Sequence, residues 1–128
     1  MIKIIKLING EEIVGDMIGK KQEHILLKNP MTIVYRYHPM ASFPHIKLVK
    51  YLIFSKEEVI SFNKIDIINI TNPRDSFIDY YLFVISALAG SEENIDAELR
   101  DAVNHEKESK EKFYSSLLDQ LPRSDKFN

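Results

Sequence analysis

The stretch from Lys6 to Ile33, KLINGEEIVGDMIGKKQEHILLKNPMTI, does most to limit what this chain can fold into. Its apolar residues come in short alternating or clustered runs, divided by Asn9-Gly10, Gly15, Gly19 and Asn29-Pro30. Short apolar runs between turn formers read as strands, because a helix needs a longer uninterrupted segment. Asn9-Gly10 predicts a hairpin with a type I′ turn, in which both central residues take positive φ. Gly15, in mid-strand, predicts a bulge or sharp bend. Pro30 has no N–H for a ladder and predicts an edge or a kink before Met31 to Tyr35 resume the strand.

The same pattern extends outward in both directions. Ile2 to Leu7 has two rather apolar faces, as a strand enclosed in a small barrel would. Glu11 and Glu12 begin the return strand, which Ile13, Val14, Met17 and Ile18 fill. A polar turn from Gly19 to His24 leads to Ile25-Leu26-Leu27, the start of the third strand. Arg36 to His45 has two prolines and no periodicity, so it is a loop. Ile46 to Phe54 predicts a long strand, interrupted at Ser55-Lys56-Glu57-Glu58 and continued by Val59 to Phe62. Asn63-Lys64 links it to a last strand, Ile65 to Ile70. The sum is a mainly β domain, a five-stranded and strongly bent barrel, over residues 1–73.

Residues 74–128 read as a helical extension of two α-helices. The first runs from an N-cap at Asp75 or Ser76 to Gly90, a natural C-terminal stop. It is apolar around its whole circumference, which requires cover on several sides. The barrel should supply one side, and the second helix or a neighbouring subunit the others. In the second helix Ile95, Leu99, Val103, Phe113, Leu117 and Leu121 share a stripe, interrupted by Glu106 and Lys110. Pro122 is expected to end it, leaving Arg123 to Asn128 disordered. The charge changes at the same boundary: residues 1–90 carry 11 Lys/Arg against 9 Asp/Glu, and residues 91–128 carry 6 against 10.

A net charge of −2 gives no global field favouring a polyanion. The chain has no cysteine, so disulfide scaffolds, thiolate zinc sites and cysteine nucleophiles are excluded. The N-terminus alternates instead of forming an apolar run, and Tyr80 to Ala89 is far short of the roughly 20 residues that span a bilayer. A soluble, cytoplasmic protein without membrane association is expected.

The opening stretch resembles the first motif of the Sm-like (LSm) family. The residues carrying the resemblance are Leu7, Gly10, Ile13-Val14, Gly15, Met17, the Gly19–His24 loop and Ile25 to Leu27. Asn63-Lys64-Ile65, with Ile68 three residues on, echoes the second motif. The likeness covers about Ile2 to Ile70 and is greatest to divergent phage-encoded members, which join the barrel to C-terminal helices. It implies a non-enzymatic interaction or assembly protein. It also implies a homo-oligomeric ring, closed by pairing the fourth strand with the fifth strand of the next subunit.

RNA is the alternative partner, through a non-standard site. RNA-binding members place an aspartate and a base-contacting asparagine in the loop before the third strand. This chain has Lys20-Lys21-Gln22-Glu23-His24 there, with His24 in the asparagine's place. The family's Arg-Gly pair falls on Ser61-Phe62, and only Asn63 matches. The candidate nucleic-acid residues are therefore Lys20, Lys21, His24 and Asn63, together with Tyr35, Arg36, Tyr37 and His38, which offer charge and stacking surfaces. The residues themselves fit a solvated turn and a crossover loop with locally packed aromatics better than they fit a nucleic-acid site.

No catalytic or cofactor constellation is present. His38 and His45 lack a third metal ligand nearby. Glu11-Glu12 and Glu57-Glu58 diverge along a strand and make poor acid/base pairs. Ser61 to Lys64 and Ser109 to Lys112 have Ser-x-x-Lys spacing only by chance.

Overall fold

The computed structural model describes residues 1–120, the side chains of residues 92 and 93 excepted. The chain divides into two compact units, Met1–Ala89 and the segment from Gly90 onward. The first contains six strands: β1 (Ile2–Leu7), β2 (Glu12–Lys20), β3 (His24–Arg36), β4 (His45–Lys50), β5 (Val59–Asn63) and β6 (Ile67–Thr71). A 3₁₀ turn, Lys64–Asp66, joins β5 to β6, and helix α1 (Asp75–Leu88) follows. The second unit is one long helix, α2 (Glu92–Gln120).

The strands form one antiparallel sheet in the order β4-β3-β2-β1-β6, with β5 also paired to β3. The bent sheet and the two C-terminal helices are those expected, but the fourth strand is in two pieces. It stops at Lys50, and residues 51–54 turn where strand was expected to run on to Phe54. β4 pairs with Met31 to Arg36 and β5 with His24 to Lys28, so the two pieces divide one 13-residue strand between them. The last strand likewise begins at Ile67, because Lys64 to Asp66 wind into the 3₁₀ turn.

The division of β3 falls at Asn29-Pro30. Asn29 has φ 49°, a left-handed conformation that asparagine tolerates better than most residues. Its N–H donates to the Glu58 carbonyl (2.7 Å), and the Pro30 carbonyl accepts from the Tyr51 N–H (3.0 Å). On the other side β2 loses register: Val14 faces Met31, but Asp16 faces Lys28. Two steps along β2 thus match three along β3, a one-residue bulge with Gly15 opposite it. A Cβ on Gly15 would lie 3.2 Å from Leu27 Cβ, so a side chain at this position would crowd β3.

Because side chains alternate, one extra residue turns every later side chain to the other face. Ile25 and Leu27, before the bulge, join Ile5, Leu7, Ile13 and Phe62 in one core. Met31 and Ile33, after it, join Val14, Leu48 and Tyr81 in a second core on the opposite face. α1 covers that second core with Phe77, Tyr80, Tyr81, Val84 and Ile85, a stripe at helical spacing. Tyr81, itself buried, donates through its hydroxyl to the Asn29 carbonyl (2.7 Å) and ties the helix to the bulge. The opposite side of α1 keeps Leu82 and Phe83 exposed, at 51% and 68%.

Two local expectations change. At the β1–β2 hairpin only Gly10 takes positive φ (92°), and its N–H donates to the Leu7 carbonyl (2.9 Å). The turn therefore closes with a glycine bulge in place of the I′ form. The Asn9 side chain accepts the Glu11 N–H instead (2.9 Å). Helix α1 starts after Arg74, whose carbonyl accepts the N–H groups of Phe77 and Ile78, and no side chain caps it. The expected stop of α2 at Pro122 and the tail beyond it lie outside the described residues.

Candidate nucleic-acid interface

The sequence-predicted residues fall at the two ends of β3. At its start, His24 is the direct cross-strand partner of Asn63 on β5. The Lys21 N–H donates to the His24 carbonyl (2.8 Å), and the Lys64 N–H to the Glu23 carbonyl (2.9 Å). These bonds join the Lys20–His24 loop to the Asn63-Lys64 link, although some 40 residues separate them in sequence. Lys20, Lys21 and Asn63 are exposed and His24 is half-buried. The cluster thus offers two ammonium groups, an imidazole and an amide, suited to phosphate contacts and hydrogen bonds to base edges.

At the other end, Tyr35 pairs with Ile46 and Arg36 with His45, and Tyr37 and His38 open the following loop. Tyr35 is held: its hydroxyl donates to the Glu12 carboxylate on β2. Burial pushes the Tyr35 phenol up to about 12, aided by that hydrogen bond and by the Glu12 charge. Tyr37, Met40 and Phe43 are all at least 80% exposed, so the loop aromatics do not pack locally. The full length of β3 lies between this group and the His24–Asn63 cluster, so they form two sites and not one.

One electrostatic feature of this region is legible in the sequence only as a long run. From His24 to Lys56 the chain has no Asp or Glu but five Lys/Arg: Lys28, Arg36, Lys47, Lys50 and Lys56. That run comprises β3, the loop after it, β4 and residues 51–56 of the connection to β5. The near-zero net charge of the chain conceals it.

A groove of about 440 Å³ lies next to Asn63, between the end of β1, the turn after β4, β5 and Asp66. It occupies the gap where the sheet fails to close: among the described residues β5 pairs only with β3, and β6 only with β1. Tyr51 and Phe62 form its wall with ring centroids 5.2 Å apart. Burial raises the Tyr51 pKa, with Glu11 and Asp66 adding to the effect. Sequence reasoning missed this groove, since its lining comes from four separate segments.

Among the described residues no group of three or more His, Asp or Glu is placed to hold a metal ion. Among them, too, no helix is long and apolar enough to cross a membrane. No curated protein matches the chain. The model of the Sm_like domain matches residues 4–82, from β1 into α1. Domains of this kind often bind RNA or oligomerise, and they are generally non-enzymatic. With that match over more than half the chain, and a bent antiparallel sheet followed by two C-terminal helices, the chain belongs to the Sm-like family.

Proposed function

We propose that this protein is a non-enzymatic assembly module whose barrels pair head to tail in a closed ring, the β5 edge of one subunit against the β6 edge of the next. The observation that carries this reading is the pair of unpartnered edges at the sheet opening. Both are apolar and exposed, with Val59 on β5 and Ile68 and Ile70 on β6. Unpaired apolar edges recruit further strands, and a heterologous contact that closes on itself removes them all. The exposed Leu82 and Phe83 of α1 support an assembled state in the same way.

The test is a pair of edge lysines. Val59→Lys and Ile70→Lys should each dismantle the ring while keeping the far-UV circular dichroism of the parent. Mixed together, each chain retains one intact edge of opposite kind, so native mass spectrometry should show the two variants bound to each other and no ring. A wild-type species no larger than a dimer at micromolar concentration would sink the proposal.

A second reading, RNA binding, is supported by the His24–Asn63 pairing and the acid-free run. Filter binding to short U-rich and A-rich RNA checks it. Binding should fall by more than about tenfold between 50 and 200 mM salt if several phosphates are contacted. Affinity that does not respond to salt excludes the lysine contacts.

A further inference from the structure

We infer that α2 is a self-pairing element: two copies of this chain join through an antiparallel α2–α2 contact centred at Glu108. The inference is independent of strand-edge pairing. Leu99, Val103, Glu106, Lys110, Phe113 and Leu117 recur at alternating spacings of four and three, the a/d pattern of a coiled-coil seam. The four apolar members are between 38% and 61% exposed, so the seam is open along its length.

The charges in the middle of the seam select the partner and its direction. In a parallel pair of identical helices Glu106 would meet Glu106 and Lys110 would meet Lys110, two like-charge contacts at the centre. In an antiparallel pair Glu106 of each copy meets Lys110 of the other. The same register puts Val103 against Phe113 and Leu99 against Leu117, so every layer is matched twice by one two-fold axis. That is the self-complementarity an isologous contact requires. Polar residues at seam positions cost stability and set register and direction, and here both charges are satisfied in only one arrangement. The like-charged approach of Lys107 to its own copy falls at the solvated rim, where Glu111 one turn along offsets it.

The absence of cysteine makes the test direct, because one introduced cysteine carries one spin label. Full-length chain with Ser109→Cys or Ala102→Cys is labelled and measured by pulsed dipolar spectroscopy in a Val59→Lys background, which separates α2 contacts from strand-edge contacts. Position 109 lies one residue from the two-fold axis and position 102 six residues from it. Antiparallel pairing therefore gives a short distance at 109, and about 15 Å more separation along the helix axis at 102, from a rise of ~1.5 Å per residue in each helix. Equal distances at both positions, or no dipolar coupling, overturn the inference. Glu106→Lys and Lys110→Glu should each weaken pairing by roughly tenfold, by turning two attractive contacts repulsive. The Glu106→Lys/Lys110→Glu double variant should restore it. A double variant no better than the singles also overturns the inference.

Discussion

Tyr81 shows how much one side chain can fix. It is buried in the second core, and its hydroxyl satisfies the Asn29 carbonyl at the point where β3 changes partners. Tyr81→Phe should cost about 1–2 kcal/mol, since it leaves a carbonyl in an apolar setting without its donor. Burial, and then the Asp16 charge, raise the Tyr81 pKa above the ordinary value of 10.0. The folded state therefore holds the proton more tightly, and this stabilisation is complete below about pH 10 and lost as pH rises beyond it. Urea melts at successive pH values should show stability falling above about pH 10, with a shallower fall for Tyr81→Phe. The slope should not vanish, because Tyr35 and Tyr51 are shifted in the same direction. An unchanged alkaline slope in the variant would contradict this role. None of this is legible in the sequence, where Tyr81 is one of many apolar residues on an all-apolar helix. Gly15 is legible, because a glycine in mid-strand gives up side-chain packing and so marks a bulge or a close approach of backbone.

Among the elements, β3 holds the most information. Asn29-Pro30 marks a kink in the sequence, and β3 runs on through it without a break. The change of face does not show there, because it depends on a one-residue register shift against β2, and register is a property of two strands. The β4–β5 break escapes sequence reading for a related reason. Tyr51 to Phe54 is apolar and reads as strand, but beyond the kink β3 no longer lies beside it to pair. Asn29→Val should destabilise by about 1–2 kcal/mol, because a β-branched residue resists the left-handed conformation. Asn29→Gly should be nearly neutral in thermal melts, and equal losses in the two variants would place the cost elsewhere. At the candidate interface, motif positions identify the loop residues and Asn63 singly. Their adjacency rests on the His24–Asn63 pairing, which only the folded sheet supplies.

Across the whole molecule, fold class and helix placement can be read because they follow from local periodicity. The open groove cannot, because it is assembled from segments far apart in the chain. Such distances also bear on the order in which the molecule is built. β1, β2 and β3 are joined by tight turns, and β4 returns to β3 over a short loop. β6 must find β1 across almost the whole first unit, Thr71 lying against Ile4. Closing so long a loop is entropically costly and is repaid only after the rest of the sheet stands. The sheet opening is thus a matter of time as well as geometry: loop closure predicts that the β6 edge joins the barrel last.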